Sequence, residues 1–401
     1  MKRLQVLLLV ALSSTLLLFG CGKEEEPDTP AVSQVIEKQA EPETDQSGEQ
    51  VLATPEDETS APADDEAPPK EGMVRSTLTN EWIEGSIEKN RPISIMVPND
   101  SAALPHYNIS KADILYEAPV EGGITRTMAV IKDWESLDRI GNVRSCRDYF
   151  VYWSFEWDSI YLHFGGPYYI NDIVEKKDTD HITGCAYGDK RTDGLYEDTF
   201  FRATDKKAPH NAYASASGIN KGIEKFSISK TYRDGYHQAD HFKFAPSKEP
   251  NTLEQYTDAI SAKEIDMSPA YSVTKTGFSY NESDGLYYRS MYGKPDVDAA
   301  NNNQQLAFKN IFVQFTYHEV RDAKGYLAFQ VHDTTRDGYF FTNGKGIHVT
   351  WKKSTDYEPT KYYDDNGNEV QINTGKTMIC IAKQGDSFKA DGTSYNSSVK
   401  K

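Results

Sequence analysis

Apolar and polar positions alternate in the first half of the chain in a way that predicts β-strands. Three runs rich in β-branched residues predict strands at 91–97, 112–120 and 124–131. The Gly-Gly pair between the last two fits a two-residue hairpin turn, because the central positions of such turns need positive φ. Pro119 lacks a backbone donor, so the strand that contains it is expected at a sheet edge or at a bulge.

The next segment predicts a strand–helix–strand unit. An aromatic helix is expected from about Arg147 to Trp157, and Ser145 stands three residues before Asp148 as in a capping box. A strand at 159–164, a Gly-Gly break and a second helix opened by a proline follow. This order is typical of a mixed sheet.

From about residue 271 the pattern changes to short strands separated by polar turns. The predicted fold class is α+β, with a mixed α/β N-terminal domain followed by a predominantly antiparallel β C-terminal domain. We place the first domain at 76–250 and the second at 251–401.

The N-terminus predicts export and lipidation. Residues 1–20 combine two basic residues with an apolar run that is shorter than the roughly twenty residues of a membrane span. The run ends in "LFGC", which resembles a bacterial lipobox and implies a signal peptide cleaved before Cys21 and a lipid on its sulfur. An ordinary signal peptide or an uncleaved anchor is the alternative. We therefore expect an extracytoplasmic protein that is anchored to the cell membrane through Cys21.

Residues 21–75 predict an acidic disordered tether. Residues 23–71 contain no aromatic side chain, and such a segment cannot bury enough apolar surface to offset its conformational entropy. The whole chain carries a net charge of −17; Lys2 and Arg3 contribute +2 and residues 23–71 contribute −13, which leaves −6 on residues 72–401. The folded part is thus only mildly acidic and has no basic patch of the kind that nucleic acid requires.

Cysteine usage argues against a metal or disulfide scaffold. Beyond Cys21 the chain contains Cys146, Cys185 and Cys380, which allow at most one internal disulfide. Their spacing does not match a zinc site, and we predict no metal and no cofactor. Cys146 follows Ser145 at the predicted helix start, a position that lowers a thiol pKa, and it is the best candidate for a nucleophile.

Several blocks of the sequence resemble a known family. "RPISIMVPND", "ADILYEAPVEGGITRTMAV", "IGNVRSCRDYF", "YLHFGG" and "APHNAY" are similar to the N-terminal blocks of the YerB-like lipoproteins, and "GKGIHVTWKK" with "YYDDNGNEVQINTGKTMICIA" resembles their second domain. The resemblance spans most of residues 91–385. It implies the fold, the two-domain division and a surface location, but no reaction.

Glu117, Glu121 and Arg126 form the first candidate site. Strand alternation places both glutamates on one face, and a two-residue turn sets Pro119 opposite Arg126, so that Arg126 shares this face. A solvent-exposed salt bridge across the strands explains the pattern, and a binding site is the alternative. Catalytic use of the two carboxylates is disfavoured, because four residues of strand separate them by about 13 Å, beyond the roughly 5 to 10 Å of such pairs.

Arg144 and Arg147 form the second candidate site. Both precede a predicted helix, whose N-terminus carries a partial positive charge, so something negative is expected to compensate them. Asp148, Glu117 or Glu121 could do so, and a bound anion on the free N–H groups is the alternative.

His163, Arg202 and His210 complete the candidate residues. His163 ends a predicted strand before a Gly-Gly pair, where ligands often bind in open sheets, although a backbone carbonyl could equally satisfy its ring. His210 follows Pro209 in a loop downstream of Arg202, and the alternative is a turn bonded to its own backbone.

The sequence does not decide among a binding module, an enzyme and a third possibility, a partner-docking module without a small-molecule pocket that would use the tyrosine-rich β domain. The first is a binding or accessory module of the cell envelope that recognises an anionic wall component or a partner protein. The alternative is a hydrolase or transferase that acts on cell-wall glycan or peptide, with His163 or His210 as base and Glu117 or Glu121 as acid. An enzyme would need its acid and base within reach of one substrate atom.

Overall fold

The structure is a computed structural model that describes residues 66–397. The predicted signal peptide, the lipidation site Cys21 and most of the predicted tether lie outside the described residues.

A mixed central sheet of eleven strands forms the middle of the fold. In spatial order its strands are Ile260–Ser261, Lys345–Lys353, Thr334–Thr342, Asn310–Thr316, Thr377–Lys383, Ile114–Pro119, Thr125–Ile131, Ile93–Pro98, Ile160–His163 and His181–Thr183, with Lys361–Tyr363 beside Lys345–Lys353. Parallel and antiparallel pairs both occur. The predicted mixed sheet is therefore confirmed.

A second sheet of seven strands is antiparallel and comes from the C-terminal part of the chain. Its strands are Lys294–Pro295, Leu286–Met291, Gly277–Asn281, Glu264–Asp266, Ser387–Ala390 and Thr393–Asn396, with Ala307–Phe308 beside Leu286–Met291. The predicted antiparallel β character of this region is confirmed, and with it the α+β fold class.

Smaller sheets and three helices complete the described chain. Ile140–Gly141, Ala212–Ala214 and Phe200–Arg202 form a three-stranded sheet. Two-stranded sheets pair Met73–Arg75 with Trp82–Glu84, Lys243–Phe244 with Gln371–Ile372, Val297–Asp298 with Gln304–Gln305, and His318–Val320 with Leu327–Phe329. The helices are α1 (Asp148–Phe155), α2 (Asn171–Val174) and α3 (Ala216–Phe226).

Two hydrophobic cores lie on opposite faces of the central sheet. One contains Leu115 and packs against Ile219 of α3 and Phe278 of the second sheet. The other contains Tyr116 and packs against Trp153 of α1. Successive strand residues thus enter different cores, because side chains alternate between the two faces of a strand.

Hydrogen bonding is continuous across the division predicted near residue 250. Thr377–Lys383 from the C-terminal part pairs in parallel with Ile114–Pro119 from the N-terminal part. The division into 76–250 and 251–401 remains a prediction.

Both faces of the first hairpin are covered. Every residue of Ile114–Pro119 and of Thr125–Ile131 is buried, and Glu117 is 0% exposed. The expected solvent-exposed salt bridge across these strands is therefore wrong.

The turn of this hairpin also differs from the predicted one. The loop contains a 3-10 turn at Glu121–Gly123 rather than two central residues. Arg126 consequently pairs with Ala118 and not with Pro119. The expectation that Arg126 shares a face with Glu117 is wrong, because a register shift of one residue moves a side chain to the other face.

Two smaller expectations need correction. The strand that contains Pro119 lies inside the sheet, but its neighbour Thr377–Lys383 pairs with it only as far as Glu117, so the proline stands beyond that pairing. The first residue of α1 follows Arg147, which occupies the N-cap position without a capping side chain, so Ser145 does not cap the helix.

Candidate functional site

The carboxyl ends of parallel strands meet along one edge of the central sheet, here called the carboxyl edge. Ile93–Pro98 and Ile160–His163 both end there. An extended segment crosses this edge, because the backbone N–H of Arg144 donates to Met96 O at 2.9 Å and that of Phe164 donates to Arg144 O at 2.9 Å. Ligands commonly bind at such edges in open sheets.

Three arginines gather at this edge and are here called the arginine cluster: Arg126, Arg144 and Arg147. Arg126 begins the antiparallel strand that returns from the edge, and Arg147 precedes α1. Arg126 Nη1 donates to Ser145 O at 2.6 Å, which ties the strand to the crossing segment. Chain topology therefore brings together residues that the sequence placed in two separate candidate sites.

Arg147 has a carboxylate partner. Its Nε donates to Glu121 Oε2 at 3.0 Å, and its Nη2 contacts the other carboxylate oxygen. Burial alone would raise the pKa of Glu121, but Arg147 outweighs it and holds that pKa below its ordinary value. Glu121 thus compensates Arg147, as the sequence allowed.

Arg126 has no such partner. Its side chain is 3% exposed, and no carboxylate among the described residues forms an ion pair with it. Its Nε is buried and makes no hydrogen bond within residues 66–397. Burial, followed by the charge of Arg147, lowers the pKa of Arg126 to about 9, and the charge of Glu121 only partly opposes this shift. The guanidinium remains protonated at neutral pH, so the protein holds a buried and poorly compensated positive charge.

Arg144 lies beside Asp100 and His210. Burial lowers the pKa of Arg144, Asp100 opposes this shift, and Arg147 adds to it. Burial also lowers the pKa of His210, against the charge of Asp100 and with that of Arg144.

Unpaired polar atoms accumulate at this point of the fold. Arg144 Nε, Asp100 Oδ2 and His210 Nδ1 are buried and have no hydrogen-bond partner in the described part of the chain. Buried polar groups are normally hydrogen-bonded, so several unpaired ones in one place point to a bound molecule or to water. Asp100 had not been singled out from the sequence, although its place two residues after the strand Ile93–Pro98 is a usable signal.

Arg202 lies at the margin of the cluster. It is exposed, its guanidinium stands 4.9 Å from the centre of the Phe164 ring, and Nη1 donates to Asn211 Oδ1 at 2.7 Å. Arg202 and Arg144 both act on Cys185, whose thiol pKa is raised by burial and lowered by these two charges.

The other two candidate residues lie apart from the cluster. Glu117 accepts hydrogen bonds from Arg289 at 2.8 Å, from Thr125 at 2.5 Å and from Thr276 at 2.8 Å. Arg289 also contacts Asp296, and both acids and the arginine are at most 2% exposed. Glu117 therefore belongs to a closed internal ion-pair network, here called the Arg289 network.

His163 is 0% exposed and is satisfied by its neighbours. Its Nδ1 lies 2.8 Å from Gly165 O, and its Nε2 lies 3.0 Å from Nδ1 of His181. Burial, followed by the proximity of His181, lowers the pKa of His163 to about 3. The carbonyl contact considered as the alternative from the sequence is thus present.

The three cysteines are free thiols. Cys146 is fully buried, and burial raises the pKa of its thiol to about 12. A thiol in this state is protonated at neutral pH, so the expectation of a lowered pKa at this position is wrong.

Between residues 66 and 397, no helix is long and apolar enough to span a membrane. Within the same range, no group of three His, Cys, Asp or Glu side chains is arranged to hold a metal ion.

Comparisons with known proteins agree with this fold. Two family models match, described as the N-terminal and the C-terminal domain of a protein of unknown function (DUF3048), over residues 78–229 and 265–379. The chain is 28% identical over 319 residues to a Bacillus subtilis (strain 168) protein named "Putative lipoprotein YerB", covering 78% of this chain and 85% of that protein.

A solved structure is similar as well. The crystal structure of YerB protein from Bacillus subtilis superposes with a TM-score of 0.64 at 26% identity, and the match covers 77% of this chain and 96% of that one. Sequence and structure lead to the same assignment, and the chain belongs to the DUF3048 family, with both the N-terminal and the C-terminal domain of that family present.

Proposed function

We propose that this chain is an extracytoplasmic lipoprotein that binds an anionic component of the cell envelope through the arginine cluster. The anchor would be a lipid on Cys21, which follows a short apolar leader. The name of the Bacillus subtilis relative, "Putative lipoprotein YerB", supports this part of the proposal.

A single observation carries the binding role: Arg126 is buried, charged and without a carboxylate partner among the described residues. Removing a charge from water is costly unless an opposite charge repays it. An anion beside Arg126 and Arg144 would supply that charge. Glu121 pairs with Arg147, whereas Arg126 and Arg144 form no ion pair among the described residues, so a ligand would contact these two arginines.

Arginine chemistry restricts the class of anion. A guanidinium presents its donors in a planar fork, which matches the oxygen atoms of carboxylates and phosphates. A carboxylate of a wall peptide and a phosphate of a wall polymer both fit, and so does a carboxylate on a partner protein. A wall component and a protein partner would differ in the surface area that they contact, because a protein would also cover the surface around Arg202.

The test is a calorimetric titration of the purified protein with inorganic phosphate and with D-alanyl-D-alanine, using glycerol as a neutral control. We expect Arg144→Gln to lower the affinity for the bound anion by about 1 to 3 kcal/mol, the range of a charge-assisted hydrogen bond. Arg336→Gln is the matched control. This arginine lies in the strand Thr334–Thr342, in the far half of the central sheet, and donates a hydrogen bond to Gln330.

Two outcomes would overturn the binding role. The first is an absence of heat and of any change in melting temperature with both anions. The second is an equal loss of affinity in Arg336→Gln and Arg144→Gln, which would indicate general charge screening rather than a site.

The alternative, a hydrolase or transferase of wall glycan or peptide, is favoured by one observation. His210 has a lowered pKa, so its ring is neutral at neutral pH, and it lies within electrostatic reach of Asp100. A neutral imidazole beside a carboxylate could accept a proton. New chain ends released from purified cell wall by the protein, and not by His210→Gln, would favour this alternative over simple binding.

A further inference from the structure

A second polar site lies apart from the arginine cluster, in an open cleft of about 420 Å³ beyond the strand His181–Thr183. Glu175, Asp193, Arg191 and His181 line it, together with Asp180. His181 is 6% exposed, so nearly all of its ring is buried and only one part reaches the cleft.

The hydrogen bonds of the two histidines fix which ring nitrogens carry protons. Gly165 O can only accept, so His163 Nδ1, 2.8 Å away, must donate to it. A neutral His163 then has an unprotonated Nε2, which must accept from His181 Nδ1 at 3.0 Å. Burial lowers the pKa of His181 to about 4 and that of His163 to about 3, so both rings are neutral at neutral pH.

This chain of bonds leaves His181 Nε2 as an unprotonated acceptor. No group in residues 66–397 donates a hydrogen bond to it. Gly194 lies against the face of this ring, since a Cβ there would come within 2.6 Å of Cε1 and 2.8 Å of Nε2, and both residues line the cleft. A nearly buried acceptor without a donor therefore faces the cleft.

The charges around this acceptor favour a cation. Asp180 is balanced by Arg91 at 2.6 Å and by Arg233 at 3.2 Å. The remaining charged groups of the lining are Glu175 and Asp193, and both pair with Arg191. Two carboxylates against one guanidinium leave an excess negative charge beside an acceptor nitrogen.

We infer that this cleft binds a protonated primary amine, which donates one N–H to His181 Nε2 and places its charge beside Glu175 and Asp193. The inference does not depend on the arginine cluster. Amino acids and amino sugars both carry such a group, and the experiment separates these two sources.

The test reads the histidine rings directly. Long-range ¹H–¹⁵N spectra of the purified protein with labelled histidine are recorded at neutral pH during titration with lysine methyl ester, with glucosamine and with glucose. We expect an unprotonated His181 Nε2 that shifts with one or both amines and not with glucose. The amine with the larger shift identifies the source.

Variants test the same inference by calorimetry. His181→Asn keeps an N–H near the position of Nδ1 for His163 and removes the acceptor, so amine affinity should fall about tenfold or more. Asp193→Asn should weaken amine binding about threefold and Arg191→Gln should strengthen it about threefold, because they change the cleft charge in opposite directions. Asp193 and Arg191 are exposed, so their variants test the inference even if His181→Asn does not fold.

Three results would overturn the inference. One is a protonated Nε2 in the free protein. Another is an equal response to glucose and to the amines, or no response to either amine. The third is a change of the same sign in Asp193→Asn and Arg191→Gln.

Discussion

Arg289 and Arg126 are both buried arginines, and they differ in what surrounds them. Arg289 lies between Glu117 and Asp296, each of which is at most 2% exposed. Burial disfavours the charge of Arg289, but the two carboxylates outweigh it and raise its pKa above the ordinary value. For Arg126 burial and the charge of Arg147 outweigh the opposing charge of Glu121, so the pKa is lowered.

The difference separates a structural group from a candidate binding group. An unpaired Nε occurs in both arginines and does not distinguish them. The presence of a carboxylate does, because a compensated buried charge needs nothing further, whereas an uncompensated one gains from any anion that reaches it. The first hairpin therefore has the closed Arg289 network on one face and the incomplete arginine cluster on the other.

The largest effect is expected in the Arg289 network. Glu117→Ala leaves Arg289 with one of its two carboxylates and removes the carboxylate that accepts from Thr125 and Thr276. Removing one partner of a buried pair typically costs about 3 to 5 kcal/mol of unfolding free energy. Urea denaturation measures it, and Glu282→Ala, in an exposed pair with Lys263, is the control that should change little. Similar urea midpoints for both variants would show that the network is not structural.

Acidification creates an uncompensated buried charge in a third place, the pair His163 and His181. Their pKa values of about 3 and 4 in the folded state lie below the ordinary value of about 6.5. The unfolded chain therefore binds protons first, so stability is complete above about pH 6.5 and falls as the pH drops towards 4.

The slope of this loss is at most about 1.4 kcal/mol per pH unit for each histidine. Urea midpoints between pH 7 and 4 measure the slope. His181→Asn removes one of the two protonation sites, so the slope should fall by the contribution of one histidine. An unchanged slope in that variant would contradict the buried neutral pair, since other histidines would then carry the whole effect.

Local pattern was enough to locate the first strands of the central sheet. The runs 91–97, 112–120 and 124–131 match the observed strands to within one residue at the end of the first, because alternation and β-branching are local properties. The sequence singled out Arg126, Arg144 and Arg147, but only the sheet topology brings their two candidate sites together at one edge.

What could not be predicted depends on distant residues and on one loop. Glu117 reads as a surface acid until its partner Arg289 is known, and that partner is 172 positions away. The face of Arg126 depends on whether the loop at Glu121–Gly123 has two central residues or more, and one residue is enough to exchange the faces. The local pattern of apolar and polar residues specifies strands, but it does not specify the register of their pairing or the partners of their charged side chains.

A smaller effect on stability should distinguish the two buried arginines directly. Arg126→Met replaces an uncompensated charge by an apolar side chain, so unfolding free energy should stay the same or rise by about 1 kcal/mol. The lost bond to Ser145 O offsets part of this gain. Arg289→Met is the counterpart and should destabilise by about 3 to 5 kcal/mol, because it strands two buried carboxylates. Equal losses of unfolding free energy in both variants would mean that Arg126 is a structural group, as Arg289 is.

The smallest effect is expected when the negative charge of Glu121 is removed from the arginine cluster. Glu121→Gln keeps the shape of the side chain but removes the charge that pairs with Arg147. Glu121 is partly exposed, so the stability cost should stay within about 1 kcal/mol. Affinity for phosphate should rise about threefold, because the ligand no longer competes with a carboxylate for the guanidinium groups. A fall in affinity measured by calorimetry would instead show that Glu121 orients Arg147 for the ligand. In that case the pair Glu121–Arg147 would belong to the binding geometry, and Arg126 and Arg144 would remain as the arginines of the cluster that form no ion pair within residues 66–397.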